Sequence, residues 1–228
     1  MSLQQFPDLL QGSDSWLDAR RGIITASVID QLITPKTIKP AANDHSRGLT
    51  ALLVSERITG WTEPIYASFD MERGDFDEPI ARDLYSEHFA PNPVTESGFM
   101  VRDDWGFSIG YSPDGLVGEN GLIEIKSRAP KKHLATILSD EVPLENMAQI
   151  QCGLLVSGRT WCDYVSFCGG MPLFIIRVIP DLEWHNAILA AVTTFEASAT
   201  EMIEKYNKAV DGLPATERIN RDYEEIRL

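Results

Sequence analysis

The sequence contains 228 residues, enough for one ordinary globular domain with a sizeable core. Its 20 basic and 34 acidic residues give a net charge of −14, the opposite of the basic balance that is typical of a general nucleic-acid binder. This net charge does not exclude DNA binding, because binding depends on the local electrostatic field at the site and not on the net charge of the chain. Three cysteines, Cys152, Cys162 and Cys168, are too few for a disulfide framework or a four-thiolate metal site.

The first part of the chain is predicted to be mostly helical. Ser13 begins a helix that ends at Gly22, and Thr25 or Ser27 can begin the next one. Residues 34–47 are polar and contain proline, which favours a mobile loop. Apolar residues at helical spacing predict two more helices, Leu49–Ile58 and about Asp70–Phe89, the second through Phe76, Ile80, Leu84 and Tyr85.

The pattern then changes to the period of strands. Short strands are predicted at Val94–Val101, Phe107–Tyr111 and Leu122–Lys126, with a helix following at about Leu144–Val156. A Gly169-Gly170 turn joins two further strands, Trp161–Phe167 and Leu173–Ile179, and a long helix covers about Asp181–Lys208. This order predicts a mixed sheet flanked by helices, of the α/β or α+β class, in a single domain over residues 1–228.

The sequence does not suggest a membrane protein. The first basic residue is Arg20, so a secretory signal is not indicated. The longest apolar stretches, such as Ala187–Val192, are far shorter than the roughly 18 residues that a membrane span needs. We therefore expect a cytoplasmic protein with reduced thiols and no membrane contact.

Two acidic residues and a lysine lie where a hairpin would bring them together. Asp114 ends one predicted strand, and Glu124 and Lys126 lie on the next. Because side chains alternate along a strand, burial of Ile123 and Ile125 would aim Glu124 and Lys126 at the opposite face. Two carboxylates at one place suit Mg²⁺ or Mn²⁺, which favour oxygen ligands. A nearby lysine can orient the attacking water and stabilise charge on a phosphate.

Each part of this arrangement also has an ordinary structural explanation. Residues 112–115, Ser-Pro-Asp-Gly, fit a type I turn, and a Glu-x-Lys pair on a strand is most often solvated. The combination is more informative than its parts. An Asp turn followed after ten residues by an apolar-flanked Glu-x-Lys is the pattern of the restriction-enzyme-like nuclease superfamily.

Within that superfamily, the sequence resembles the phage lambda exonuclease family of viral recombination nucleases. Five motifs occur in the family's order over about residues 16 to 151. They are Trp16-Leu-Asp-Ala-Arg20-Arg-Gly22-Ile-Ile-Thr25-Ala-Ser27, Gly74-Asp-Phe-Asp-Glu78, Ser112-Pro-Asp114-Gly115, Glu124-Ile-Lys126 and Met147-Ala-Gln149-Ile-Gln151.

The resemblance implies a metal site and its catalytic residues. Asp114 and Glu124, with the backbone carbonyl of Ile125, would bind Mg²⁺, for which Mn²⁺ would substitute, and Lys126 would be the catalytic lysine. Further groups at this site would be the acidic Glu78 and the positioning residue Gln149. Without the resemblance, Glu78 would be one solvated position in an acidic helix and Gln149 an ordinary polar one.

The resemblance also implies a DNA-binding surface. A pocket for a terminal 5′-phosphate would be formed by Arg20, Ser27 and Ser112, because a guanidinium and hydroxyls are good phosphate partners. Trp16 is either a core residue or an aromatic group at the DNA end. A basic cluster directly after the catalytic lysine would contact phosphates, unless it is merely solvated; it contains Arg128, Lys131 and Lys132, and Lys36 and Lys39 lie in the earlier loop.

The function that the resemblance implies is a Mg²⁺-dependent 5′→3′ exonuclease. It would digest one strand of duplex DNA from a 5′-phosphorylated end, release 5′-mononucleotides and leave a 3′ overhang for a phage-type single-strand annealing protein. It would act as a ring-shaped homotrimer in the cytoplasm of a bacterial host. Two alternatives stay open: a structure-specific or restriction-type endonuclease of the same superfamily, and a non-catalytic DNA-binding or assembly subunit.

Overall fold

The computed structural model describes residues 3–63, 68–90 and 93–218. Its largest sheet has five strands in the order β11-β10-β9-β8-β5. These strands are β5 (Val94–Thr95), β8 (Gly115–Val117), β9 (Gly121–Ser127), β10 (Trp161–Phe167) and β11 (Phe174–Val178). The central pair β9 and β10 is parallel and the other pairs are antiparallel. Two helices, α4 (Pro130–Ser139) and α5 (Leu144–Ser157), make the crossover between β9 and β10.

A second sheet has four strands in the order β1-β6-β7-β2. They are β1 (Leu3–Phe6), β2 (Ile24–Thr25), β6 (Phe99–Arg102) and β7 (Ile109–Tyr111). Strand β2 runs parallel to β7, and this pairing places Thr25 beside Gly110. A small hairpin is formed by β3 (Ile33–Thr34) and β4 (Lys39–Pro40). The remaining helices are α1 (Asp14–Arg20), α2 (Asp44–Thr59), α3 (Phe69–His88) and α6 (Leu182–Ala209).

The five-stranded sheet is covered on both faces. On one face, Leu122 and Tyr164 belong to the larger hydrophobic cluster, which also contains residues of α2, α5 and α6. On the other face, Ile123 and Val165 pack with residues of α3, among them Tyr85. This arrangement of mixed sheets flanked by helices confirms the predicted fold class. No helix within the described ranges combines the length and the apolar character needed to cross a membrane.

Several predicted elements are confirmed, with small differences at their ends. Ser13 caps α1 through its side chain, and α5, β10, β11 and α6 occupy the predicted regions. The three cysteines are free and buried. Outside residues 24–47, three elements, β1, β8 and α4, had no counterpart in the sequence prediction. In α4, Pro130 lies in the first turn, and His133 and Thr136 are its buried residues.

The helix predicted from Thr25 or Ser27 is wrong. Residues 24 and 25 form β2, because these β-branched residues pair with β7, more than 80 residues further along the chain. Only a short 3-10 helix, Ile29–Leu32, follows, and no side chain caps it. The mobile loop predicted for residues 34–47 is also wrong. That segment contains the β3–β4 hairpin and the start of α2, where Asn43 and Ser46 form a reciprocal capping box.

The predicted helix over residues 70–89 is present as α3, and half of its predicted apolar stripe is buried: Tyr85 is in the core and Leu84 packs against it, whereas Phe76 and Ile80 are not buried. Phe76 and Ile80 are 73% and 41% exposed, whereas Ala81 and Tyr85 are fully buried. The small Ala81 allows close packing of α3 against the sheet, and Glu78 in the preceding turn lines a cavity. The exposure of Phe76 and Ile80 therefore accompanies an orientation of α3 that buries Ala81 and Tyr85 and places Glu78 at the cavity.

Candidate active site

A cavity of about 510 Å³ lies between α1, α3, α5 and the β8–β9 hairpin. Its walls contain most of the residues that the sequence predicted for the site: Trp16, Arg20, Ser27, Glu78, Ser112, Asp114, Ile125, Lys126 and Gln149. Glu124 lies behind this wall and is fully buried. The fold thus brings together residues from motifs that are far apart in the sequence.

The register of the β8–β9 hairpin places the two predicted metal ligands side by side. Gly115 pairs with Ile123, so Asp114 lies next to Glu124 across the hairpin. Asp114 Oδ2 accepts a hydrogen bond of 2.6 Å from the backbone N–H of Ile125. Ile123 and Ile125 are buried on the α3 side of the sheet. The predicted alternation of buried isoleucines and site-facing polar side chains is therefore present.

The catalytic lysine predicted from the sequence is held by two groups. Lys126 Nζ lies 2.6 Å from Glu124 Oε1 and donates a hydrogen bond of 3.1 Å to Gln149 Oε1. Apart from this ion pair, neither carboxylate oxygen of Glu124 has a hydrogen-bond partner within the described part of the chain. A buried carboxylate with an unsatisfied oxygen is costly, because water cannot compensate it.

The electrostatics of this region reflect an excess of negative charge. Burial and the neighbouring charge of Glu124 raise the pKa of Asp114 to about 7. Burial and the charge of Asp114 raise the pKa of Glu78 to about 7 as well. Burial alone would lower the pKa of Lys126, but Glu124 and Asp114 outweigh it and raise this pKa. The group formed by Glu78, Asp114, Glu124, Lys126 and Gln149 is called the acidic end of the cavity below.

The acidic end fits a divalent metal ion. Asp114 and Glu124 supply carboxylate oxygens, and apart from the Lys126 ion pair the buried Glu124 carboxylate has no hydrogen-bond partner among the described residues. The Ile125 N–H faces Asp114, so its carbonyl points to the same side of the strand. Within the described ranges there is no cluster of three or more His, Cys, Asp or Glu side chains that would hold a metal by themselves. Two carboxylates and a carbonyl suit Mg²⁺, which commonly keeps several waters.

Arg82 is a residue of this end that the sequence analysis missed. It forms an ion pair with Glu78, and its Nε donates a hydrogen bond of 2.7 Å to the backbone carbonyl of Asp114. A further guanidinium nitrogen lies 3.1 Å from Glu96 Oε1. Arg82 therefore connects α3 to the Asp114 turn and partly balances two acids. The only local signal was its position four residues after Glu78 on one helix.

At the opposite wall, the residues predicted to bind a phosphate contact one another. Arg20 Nη2 donates hydrogen bonds of 3.3 Å to both Thr25 Oγ1 and Ser27 Oγ. These two hydroxyl oxygens are 3.1 Å apart. Thr25 lines the cavity but was not singled out from the sequence, although it belongs to the same motif. Burial lowers the pKa of Arg20, and the nearby carboxylate of Glu56 opposes this shift.

Trp16 contacts two residues of this pocket, Arg20 and Ser112. The Arg20 guanidinium lies 4.1 Å from the centre of the Trp16 ring, within the range of a cation–π interaction. Trp16 Nε1 donates a hydrogen bond of 3.0 Å to Ser112 Oγ. The side chain is only 7% exposed, which favours the core explanation over a group projecting at the DNA end. The residues Trp16, Arg20, Thr25, Ser27 and Ser112 are called the phosphate end of the cavity below.

The basic cluster after Lys126 lies outside the cavity and is divided by the fold. Lys131 and Lys132 are exposed in the first turn of α4, as are Lys36 and Lys39 in the β3–β4 region. Arg128, in contrast, is only 9% exposed. Its guanidinium bonds the Tyr164 hydroxyl, Asn146 and Glu145. Arg128 could contact DNA only if this hydrogen-bond network broke, whereas the exposed lysines do not take part in the network.

The mixed sheet, with an acidic pair and a lysine on one hairpin, defines the protein as a nuclease of the restriction-enzyme-like class. Residues 15–160 match the family model of the YqaJ-like viral recombinase domain, so the chain belongs to this family. This confirms the resemblance to the lambda exonuclease family. No curated protein sequence matches the chain.

Solved structures agree with this assignment. The crystal structure of the alkaline exonuclease LHK-Exo from Laribacter hongkongensis is 31% identical, with a TM-score of 0.78 over 89% of this chain and 100% of that one. The same protein in complex with dAMP matches equally well. A phage-related exonuclease from Haemophilus somnus 129PT is 12% identical, with a TM-score of 0.61 over 81% of this chain and 96% of that one. The last likeness concerns the fold alone.

Proposed function

We propose that the protein is a Mg²⁺-dependent DNA exonuclease that digests one strand of duplex DNA from its 5′-phosphorylated end. The observation that carries the proposal is the two-ended cavity, in which a preformed group of phosphate partners faces an acidic pair with its lysine. Membership in a viral recombinase family and the likeness to an alkaline exonuclease support it. An endonuclease would have no use for a pocket shaped for a terminal phosphate.

At the acidic end, the chain would position the metal and the attacking water. Asp114, Glu124 and the Ile125 carbonyl would hold the cation, which when bound would polarise the scissile phosphate and lower the pKa of water. Lys126 is fixed by Glu124 and Gln149, so its ammonium would orient water and stabilise negative charge on the phosphate. Arg82 would keep Glu78 and the Asp114 turn in place.

At the phosphate end, the chain would select the DNA end. Arg20 now donates long hydrogen bonds of 3.3 Å to two hydroxyls. A terminal phosphate would replace them with shorter charge-assisted bonds and would accept hydrogen bonds from the released hydroxyls of Thr25 and Ser27. Because this pocket is one wall of the cavity, the next phosphodiester would lie toward the acidic end. Cleavage there would release a 5′-mononucleotide and leave a 3′-ended single strand.

This single strand would be the substrate of a single-strand annealing protein, as expected for a viral recombinase. The family assignment supports a role in recombination. The protein would act in the bacterial cytoplasm, where the DNA and its annealing partner would be found together.

The net charge of −14 supports the proposal of a ring. Non-specific affinity for DNA comes mainly from phosphate neutralisation and counterion release, so an acidic monomer should hold duplex DNA weakly. A closed homotrimer would retain DNA by topology, with its basic residues facing the channel. Light scattering coupled to size exclusion should give about three times the 25.4 kDa of one chain. After competitor DNA is added, digestion in progress should continue; a monomer whose digestion stops at once would contradict the ring.

The central experiment uses a linear duplex labelled separately at each end, with and without a 5′-phosphate. We expect Mg²⁺-dependent release of mononucleotides from phosphorylated 5′ ends and much slower release from hydroxyl ends. Equal rates on 5′-phosphorylated and 5′-hydroxyl duplexes would favour the endonuclease alternative. Degradation from the 3′ side would show the opposite polarity. No cleavage with Mg²⁺ or Mn²⁺ on any end would favour the non-catalytic alternative.

A further inference from the structure

The turn that follows Arg20 is held by two consecutive residues of α2. Glu56 Oε2 accepts a hydrogen bond of 2.8 Å from the backbone N–H of Gly22, and Glu56 is buried. Arg57 Nε donates a hydrogen bond of 2.6 Å to the backbone carbonyl of the same glycine. Both backbone groups of Gly22 are therefore fixed from one side, two residues after Arg20.

The conformation of Gly22 makes room for this contact. Its φ of +68° lies in the left-handed region, where residues with a Cβ are strained. A Cβ at this position would also lie 2.6 Å from Arg57 Cγ. The Arg57 side chain thus occupies the space that any other residue at position 22 would need. The turn and α2 fit together only because residue 22 is a glycine.

Arg57 is in turn held by the C-terminal helix. Its Nη1 and Nη2 donate two hydrogen bonds of 2.7 Å to the two carboxylate oxygens of Glu196 on α6. This bidentate geometry is the most directional form of an ion pair. Both side chains are only about a quarter exposed, at 25% and 26%, so water screens the pair incompletely. The Arg57 guanidinium also lies 5.1 Å from the Phe195 ring centre.

Glu56 also affects the charge of the Arg20 guanidinium. Burial lowers the pKa of the Arg20 guanidinium, and the nearby carboxylate of Glu56 opposes this effect. Glu56 thus supports both the position of the Gly22 turn and the positive charge of Arg20. In contrast, Asp114, Glu124 and Lys126 lie on the β8–β9 hairpin and its turn. Among the described residues, no hydrogen bond or ion pair joins them to Glu56, Arg57 or Glu196.

We infer that Glu56, Arg57 and Glu196 are positioning residues that aim Arg20 into the phosphate end and make the selectivity for 5′-phosphorylated ends depend on α6. The inference rests on the proposed function, since it assumes that Arg20 binds a terminal phosphate. Arg20 is a long side chain at the end of a short helix, so its direction depends on the turn that follows. A turn that shifts weakens every charge-assisted hydrogen bond that Arg20 makes, while the chemistry at the acidic end is untouched.

The test compares Glu196→Ala and Arg57→Lys with the control Glu201→Ala. The control removes a carboxylate of the same helix, whose ion pair with Lys205 is exposed to solvent. Initial rates are measured for all proteins on blunt duplexes with a 5′-phosphate and with a 5′-hydroxyl. Mn²⁺ binding is measured by calorimetry, and thermal unfolding is recorded for each variant.

We expect Glu196→Ala to reduce the phosphate-to-hydroxyl rate ratio by roughly 3- to 30-fold, less than the loss of Arg20 itself. The change should appear in KM for the phosphorylated duplex. The rate on the hydroxyl duplex, the Mn²⁺ affinity and the ratio for Glu201→Ala should stay as in the wild type. Arg57→Lys should reduce the same ratio, but by less than Glu196→Ala does. Its ammonium keeps the positive charge but cannot bond Gly22 and both Glu196 oxygens together.

An unchanged ratio in Glu196→Ala and Arg57→Lys, with a lower unfolding temperature, would overturn the inference and leave a purely structural brace. An equal loss in Glu201→Ala would overturn it too, because the cause would then be charge alone. If the wild type itself does not distinguish the two ends, the proposed phosphate end fails and the inference fails with it. That outcome is recognised from the wild type alone.

Discussion

The two ends of the cavity differ in how well their polar groups are satisfied. At the phosphate end, Arg20, Thr25 and Ser27 bond one another, and Trp16 bonds Ser112. At the acidic end, Lys126 is the one described residue that pairs with the Glu124 carboxylate, and the pKa values of Asp114 and Glu78 are raised to about 7, mainly by burial. The polar groups of the phosphate end have hydrogen-bond partners within that end. The acidic end has more negative than positive charge among its described residues.

This difference indicates what each end needs. A group that is complete without its ligand can be positioned in advance, and it exchanges internal hydrogen bonds for stronger ones when a phosphate arrives. A group of buried carboxylates with too few partners destabilises the fold until a cation is bound. If the proposed function holds, the phosphate end would be preformed for its ligand, and the acidic end would gain stability from the proposed metal.

The largest effect should come from removing a ligand at the acidic end. We expect Asp114→Ala and Glu124→Ala to abolish both Mn²⁺ binding and cleavage, because each removes an oxygen ligand from a set of few. Asp114→Asn should also abolish binding, yet it should raise the free energy of unfolding of the metal-free protein at neutral pH, because one buried charge is removed. Calorimetric titration and chemical denaturation test both statements. Retained Mn²⁺ binding in Asp114→Ala would show that the metal ligands are misassigned.

Lys126→Ala should separate catalysis from metal binding. Cleavage should fall by about 10²- to 10⁴-fold, the range for a group that orients or moves a proton. Mn²⁺ affinity should be retained or increased, because the ammonium 2.6 Å from Glu124 Oε1 competes with the cation for that oxygen. Single-turnover rates and calorimetry on the same protein provide the measurement. A variant that loses the metal would make Lys126 part of the binding site and not of the chemistry.

At the phosphate end, Arg20→Ala should reduce the preference for phosphorylated ends. The expected loss is roughly 10- to 150-fold in that preference, the equivalent of about 1.5–3 kcal/mol for hydrogen bonds to a charged group. Mn²⁺ binding should be unaffected. The control is Arg21→Ala, because the neighbouring Arg21 instead forms an ion pair with Asp18. An equal loss in both variants would mean that the pocket has been assigned to the wrong arginine or that general charge matters.

The acidic end was the easier of the two to predict from the sequence. Asp114, Glu124 and Lys126 lie within 13 residues, and the alternation of a hairpin strand is a local property. The isoleucines at 123 and 125 determine which face is buried. The same locality explains why Ser13 could be recognised as the cap of α1. Arg82 escaped because its hydrogen bond to the Asp114 carbonyl joins elements whose packing no local pattern reveals.

The phosphate end depended more on long-range contacts. The local sequence predicted a helix beginning at Thr25 or Ser27, and only the pairing of residues 24 and 25 with Ile109 and Gly110 makes them a strand. The contacts of Gly22 with α2 and of α2 with α6 span 34 and 139 residues. The motif indicated which residues would meet, since Arg20, Ser27 and Ser112 line one cavity. It could not indicate what positions them, because those partners lie outside the motif.

The last expected effect is a pH dependence that belongs to the acidic end only. A metal must displace the protons of its carboxylates, and the pKa values of Asp114 and Glu78 are raised to about 7. Mn²⁺ affinity should therefore rise between about pH 5.5 and pH 8, by at most about tenfold per unit for each proton released, and then level off. Calorimetry in two buffers of different ionisation enthalpy measures the released protons.

The sign of the stability change follows from the same shifts. Both acids have a higher pKa in the folded chain than the ordinary values of 3.8 and 4.5, so the folded state binds more protons between about pH 4 and pH 7. The free energy of unfolding of the metal-free protein should therefore fall as the pH rises through this window, and Mn²⁺ should reverse the fall above it. Asp114→Asn should flatten the dependence, whereas Arg20→Ala should keep it, because the phosphate end has no acid among its members. A metal affinity that is constant from about pH 5.5 to pH 8 would show that the carboxylates are already ionised, and the contrast between the two ends would then be one of geometry alone.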